Sequence, residues 1–200
     1  FDGTVPGILV NTTMAAASGI LVSLFLGWRM RGQAEVVYAL NGAIAGLVAI
    51  TASAHAVTTL ESVLIGTVGG MTMVLSQRWL NHRHIDDAVG AIPAHLAAGI
   101  WGTLAVALFG DLEVLGTGLS RSEQFLVQAV GIVACGLWAF GIAYAFLRGI
   151  NRLHPLRVDE EAERIGLNVS EHGAPNELQD LLLSMEAQEK TRDLSVRVPV

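Results

Sequence analysis

The stretch IDDAVGAIPAHLAAGIWGTLAVALFG, residues 85–110, opens on two aspartates and then runs to Asp111 without another Asp, Glu, Lys or Arg. A helix needs about 20 apolar residues to cross the hydrocarbon core of a bilayer, and residues 88–110 reach that length. The same spacing of charges cuts out four more uncharged stretches, 3–28, 36–60, 62–77 and 124–147. The shortest, 62–77, is flanked by Glu61 and Arg78, whose long side chains can snorkel to the interface. The fold expected is all-α: a polytopic helical membrane protein with five spans in residues 1–157 and a tail over 158–200.

Composition agrees with that reading. The chain is 52% hydrophobic and 15% charged, against about 25% charged in soluble domains. Residues 1–158 hold 8 of the 12 Lys and Arg and 8 of the 18 Asp and Glu, so the tail carries the whole formal charge of −6. A basic footprint for nucleic acid is missing, and no nucleic-acid partner is expected. The single cysteine, Cys135, lies in an apolar run; it can form no intrachain disulfide and no CxxC metal site, and it is expected to be buried. Phe1 is not preceded by a basic segment, so the first apolar run does not read as a signal peptide, and the chain is expected to begin inside a longer protein.

Basic residues set an orientation. Arg29 and Arg31 follow the first span, Arg78 and Arg83 the third, and Arg148, Arg152 and Arg157 the fifth. The second loop has no basic residue, and the fourth has Arg121 beside Asp111, Glu113 and Glu123. The positive-inside rule then puts the first and third loops and the tail in the cytoplasm of a multi-pass cell-membrane protein. Trp28, Tyr38 and Trp79 fall near span ends, as interfacial aromatics do. Within the spans, Gly42 with Gly46 and Gly66 with Gly70 form GxxxG pairs. Gly99 and Gly102 lie a turn apart, and Gly131, Gly136 and Gly141 recur along the last span. Such residues let helix backbones approach closely where no hydrophobic force drives association.

His95 is the ionisable side chain deep inside a span, which is a functional hypothesis by default because such groups are costly in lipid. Ala88 and Ala91 lie two turns and one turn before it; Ala98, Gly99 and Gly102 follow within two turns. A face that small can line a thin conduit or receive a neighbouring helix. Pro93 removes a backbone donor and should loosen the helix. A neutral imidazole both donates and accepts, so it can guide a small polar molecule or relay a proton. One histidine cannot close a metal site, and no cofactor is expected. The alternative is a structural histidine bonded to a neighbouring carbonyl. Asp86 and Asp87 either cap the next helix or meet a permeating cation. Asn41 and Thr51 are expected to bond across helices or back to the backbone.

Three stretches carry a family resemblance. Residues 85–95, IDDAVGAIPAH, with Gly99-Ile100-Trp101-Gly102-Thr103-Leu104, resemble the ammonium transporter family (Amt/Mep/Rh), which writes this region as a DDP-type opening, a pore histidine and a GxxG-type run. Residues 39–51, ALNGAIAGLVAIT, are similar to the family's NGxLAGLVAIT helix, and 160–173, EEAERIGLNVSEHG, to its C-terminal EExEGLDxSEHG segment. Asn11-Thr12 and the Ala-rich run after them fit the preceding span, and the match is collinear over 1–173. The resemblance implies a homotrimer of about eleven-helix subunits, of which this chain would supply the last five helices. It implies recruitment of an ammonium ion at an outer vestibule, loss of its proton, and passage of ammonia through a pore lined by two mutually bonded histidines, with the proton crossing too. His95 matches the second histidine and Ala91 a small pore-lining position; Asp86, Asp87, Thr51 and Asn41 would be structural or gating positions nearby. It implies a transporter rather than an enzyme. The sequence departs from the family at Ala88, where proline is usual, at Gly90, where aspartate is usual, and at Thr51-Ala52-Ser53-Ala54, where a TPAC-like helix end is usual.

Beyond Gly173 the chain continues where the family usually ends. Pro175 followed by Leu178, Leu181, Leu182 and Met185 at helical spacing predicts an amphipathic helix over 175–190. A tail of that kind could contact a PII-type regulator or lead into a fused signalling domain, which leaves an ammonium sensor as the second reading.

Overall fold

The computed structural model describes residues 3–173 and positions 181, 184 and 185. The amphipathic helix expected over 175–190 lies outside the described residues but for those three positions. The described residues are helical, with no strand among them. They divide into two units, Phe1–Ala139 and Phe140–Val200.

In the first unit, α1 (Val5–Arg31), α2 (Val36–Ile50) and α3 (Thr59–His82) precede a broken helix. That helix consists of a π-helical turn (Ile92–Ala97) followed by α4 (Ala98–Phe109). A short helix α5 (Leu112–Leu115) leads to α6 (Arg121–Leu153), which continues into the second unit from Phe140 onward. Four of these segments are long and apolar enough to cross a membrane: α1, α3, the broken helix and α6. The fifth expected span differs. Of the uncharged stretch 36–60, only the 15 residues of α2 are helical before the chain turns over 51–57. At 1.5 Å per residue such a helix covers about 22 Å, short of the ~30 Å core.

Two anchors hold the turn after α2. Asn11, buried in α1, donates from Nδ2 to the carbonyls of Ala54 (3.0 Å) and Val57 (2.9 Å), while its Oδ1 accepts from the Thr59 hydroxyl at 3.0 Å. Thr58 and Glu61 form a capping box that starts α3, so Glu61 closes a helix end. On the same side as that turn, whose Ala56 carbonyl accepts from the Asp111 amide at 2.7 Å, the Arg121 guanidinium donates to the carbonyls of Ala107 (2.9 Å) and Leu108 (3.1 Å), closing the C-terminus of α4.

The core is built on small residues. Gly42 and Gly46 face α1: a methyl group on Gly42 would stand 2.7 Å from the Gly19 carbonyl oxygen, and one on Gly46 would collide with the Ala15 carbonyl. Gly66 and Gly70 press α3 against the same α1 residues, Ala15 and Gly19. Both GxxxG pairs are therefore packing surfaces, and they converge on one helix. Ala15, Ala45, Ala49 and Ile65 are fully buried between these helices. The expectation does not carry to α6: Gly131 and Gly136 in the first unit and Gly141 in the second have no described atom within 4 Å of an added methyl. Cys135, expected to be buried, is exposed, because none of the described residues covers that part of α6.

In the second unit, Asp159 caps α7 (Glu160–Ile165) by accepting from the Ala162 amide at 2.7 Å, and α8 (Leu167–His172) follows. Arg157 pairs with Glu163 at 2.8 Å and holds its carboxyl below the ordinary range.

Candidate functional site

The turn from residue 83 to residue 91 positions the broken helix. Asp87 accepts from two successive amides, Ala91 to Oδ1 at 2.9 Å and Ile92 to Oδ2 at 2.8 Å. The helix N-terminus, with its unpaired donors and positive dipole end, is thereby closed by one carboxylate. Asp86 is exposed and takes no part in that cap. Gly90 sits at φ +74, and an added methyl would stand 2.5 Å from Asn41 Nδ2 and 2.8 Å from Gln77 Oε1. Glycine at the position where the family has aspartate therefore permits both the left-handed turn and the close approach of Asn41. Asn41, buried in α2, donates to the Val89 carbonyl at 3.0 Å. Asn41, Asp87, Ala88, Val89 and Gly90 thus gather around a cavity of about 130 Å³. Thr51 is not part of this group. It stands ten residues along from Asn41 and returns its hydroxyl to the Leu47 carbonyl at 2.7 Å.

Pro93, fully buried, lies in the π-helical turn, and the Ala98 amide bonds to both the Pro93 and the His95 carbonyls. Pro93 stands in the first turn, where a backbone donor has no intrahelical partner, so its missing N–H breaks no helix bond there; the wider turn itself inserts one extra residue. One residue is a rotation of about 100°, so the small-residue face read from the sequence does not stay on one side. Ala94, Ala98, Gly102 and Ala105 are buried, with a methyl on Gly102 standing 2.7 Å from the Ala49 Cα. Ala91 and His95 are exposed on the other side. Ala88, expected on the helix two turns before His95, lies in the turn before the helix begins. The His95 imidazole has no hydrogen-bond partner among the described residues, so none of the described carbonyls ties it down.

The broken helix also leans on α3, where the Trp101 indole donates to the Ile65 carbonyl at 2.9 Å. One side of this element is thus fixed by backbone-close packing, and the other presents an imidazole and a methyl group.

A profile of the Ammonium Transporter Family matches residues 2–177. The chain belongs to the ammonium transporter family. It is 47% identical over 196 residues to a Synechocystis protein named as a candidate ammonium transporter, covering 98% of this chain and 36% of that protein. It is 37% identical over 177 residues to the ammonium transporter Amt2 of Archaeoglobus fulgidus, covering 84% of this chain and 38% of the relative. Among solved structures, a sensor Amt protein superposes with a TM-score of 0.79 at 35% identity, over 86% of this chain and 43% of its own. The chain therefore spans little more than a third of the length of these curated relatives. The expected fold is that of the family, and the apolar helices make this a multi-pass membrane protein.

The geometry assigns the Asp87 carboxylate a structural task that can be tested. Asp87→Ala in the complete protein is expected to cost about 1–2 kcal/mol through the lost cap, seen as a lower melting temperature in detergent. Asp86→Ala is expected to melt as the wild type. Equal losses from the two substitutions would contradict the cap.

Proposed function

We propose that this ammonium-transporter chain supplies one wall of a narrow path for ammonium and ammonia, with His95 and Ala91 facing the path. The observation that carries this reading is the division of the broken helix. Its other side is sealed against α2 by contacts at van der Waals range or closer, while His95 and Ala91 stay uncovered on an apolar helix. An unpartnered imidazole in a membrane span is costly unless something polar passes or pairs with it. Its two nitrogens can accept from and donate to a molecule as small as ammonia. The loops bearing Arg29, Arg31, Arg78 and Arg83 are placed in the cytoplasm by the positive-inside rule, and the tail with them. The homotrimer and a regulator at the tail follow from family membership as part of the same proposal.

Ala91 gives a test that leaves the imidazole in place. The methyl group is exposed within this chain, so Ala91→Leu fits the fold while narrowing the path. Methylammonium uptake by the complete protein is expected to fall at least about tenfold, a barrier increase of roughly 1.4 kcal/mol. Uptake at the wild-type rate would overturn the assignment of this face.

The likeness to a sensor Amt protein favours a second reading, in which the same module binds ammonium to drive a signalling domain. The coding sequence downstream of Val200 discriminates the two: a kinase or cyclase domain there selects the sensor.

A further inference from the structure

A second, basic cavity lies at the C-terminal end of α1. It has a volume of about 510 Å³ and is lined by Arg29, Met30, Arg31, Tyr38, Arg78 and Asn81. Three helices meet there: the last turn of α1, the first turn of α2 and the last turn of α3. The arginines are only lightly engaged. Arg29 has no hydrogen-bond or ion-pair partner among the described residues. Arg31 faces Glu35 at 3.6 Å, an exposed pair. Arg78 reaches only the Met30 sulfur at 3.6 Å, a weak acceptor. The other carboxylate that lines the adjoining cavity, Asp87, is already committed to two backbone amides.

Three guanidinium groups around one hollow, countered by a single carboxylate, fit an anion with several oxygens, and a phosphate matches the planar fork of arginine bidentately. The position of the cavity across the membrane narrows the source. Trp28 and Trp79, each 53% exposed, directly neighbour Arg29 and Arg78 in sequence. Exposed tryptophans sit at headgroup level, so the guanidinium groups lie at the height of lipid phosphates. Basic pockets between helices at that level hold anionic headgroups. We propose that this cavity binds a phosphate group, supplied by an anionic phospholipid of the leaflet that faces the arginine-bearing loops. The inference rests on membrane placement and holds independently of the transport reading.

The test uses the complete protein in phosphatidylcholine nanodiscs doped with phosphatidylglycerol, with retained lipid counted by native mass spectrometry. Each arginine near the surface contributes about fivefold to anionic-lipid affinity. Retention of phosphatidylglycerol over phosphatidylcholine is expected in the wild type. It should fall on the order of 100-fold in Arg29→Gln/Arg31→Gln/Arg78→Gln and largely return in the corresponding triple-lysine variant. Inorganic phosphate is the second probe. Binding of phosphate without lipid preference, lost in the triple-glutamine variant, keeps the site and assigns free phosphate as its source. Wild-type retention of lipid and phosphate by a triple-glutamine variant with wild-type melting would overturn the proposal. If that variant does not fold, Arg29→Gln and Arg78→Gln are measured singly, and the absence of any loss in both overturns it equally.

Discussion

Replacing Gly46 with leucine is expected to destroy the helix bundle, with a loss of stability above about 3 kcal/mol. A methyl group at this position would already collide with the Ala15 carbonyl oxygen, and would stand 2.9 Å from the Ala15 carbonyl carbon and 3.1 Å from the Ala16 Cα. All of these are backbone atoms, so no rotamer change makes room; α1 and α2 must separate along their length. Separation would also loosen α3, since Gly66 and Gly70 press on the same stretch of α1. The companion substitution is Gly131→Leu on α6, where no described atom lies within 4 Å of an added methyl. It is expected to change stability by no more than about 0.5 kcal/mol. Chemical denaturation of the two purified variants in detergent compares them directly. Similar losses would show that glycine composition, rather than backbone approach, sets the effect.

That comparison bears on what the sequence disclosed. Charge spacing located the long helices because a bilayer excludes Asp, Glu, Lys and Arg from its core whatever the neighbouring residues are. It overran at α2, since nothing charged marks Ile50, where the helix ends before the turn over 51–57. The polar residues Asn41 and Thr51 behave as their side chains require, one bonding across to Val89 and the other back to Leu47. Asp87 and Asp86 were indistinguishable in the sequence, because a cap depends on the turn geometry that aims one carboxylate and not its neighbour. Asn11 carries a signal of its own: an amide within an apolar span needs partners, and it holds the turn after α2 through three hydrogen bonds. The small-residue face around His95 was legible as composition but not as geometry. Pro93 pointed to a loosened helix but falls in the first turn, where it removes no helix bond; the extra residue of the π turn, which separates His95 from Ala98 and Gly102, was not legible.

His95→Ala is expected to cut methylammonium uptake by the complete protein roughly 5- to 150-fold. That range corresponds to leaving a desolvated polar solute short of one hydrogen-bond partner, about 1–3 kcal/mol. The fold is expected to be indifferent: the imidazole is exposed, has no partner among the described residues, and lies opposite the packed side of its helix. His95→Gln restores a donor and an acceptor without a titratable ring, so it should recover part of the uptake if hydrogen bonding dominates and none of it if proton relay does.

The decisive measurement is therefore methylammonium uptake by the complete protein carrying His95→Ala, taken together with its melting temperature. Loss of uptake at an unchanged melting temperature is the expected result. Wild-type uptake, or a loss that only accompanies unfolding, would contradict the assignment of His95 to the path.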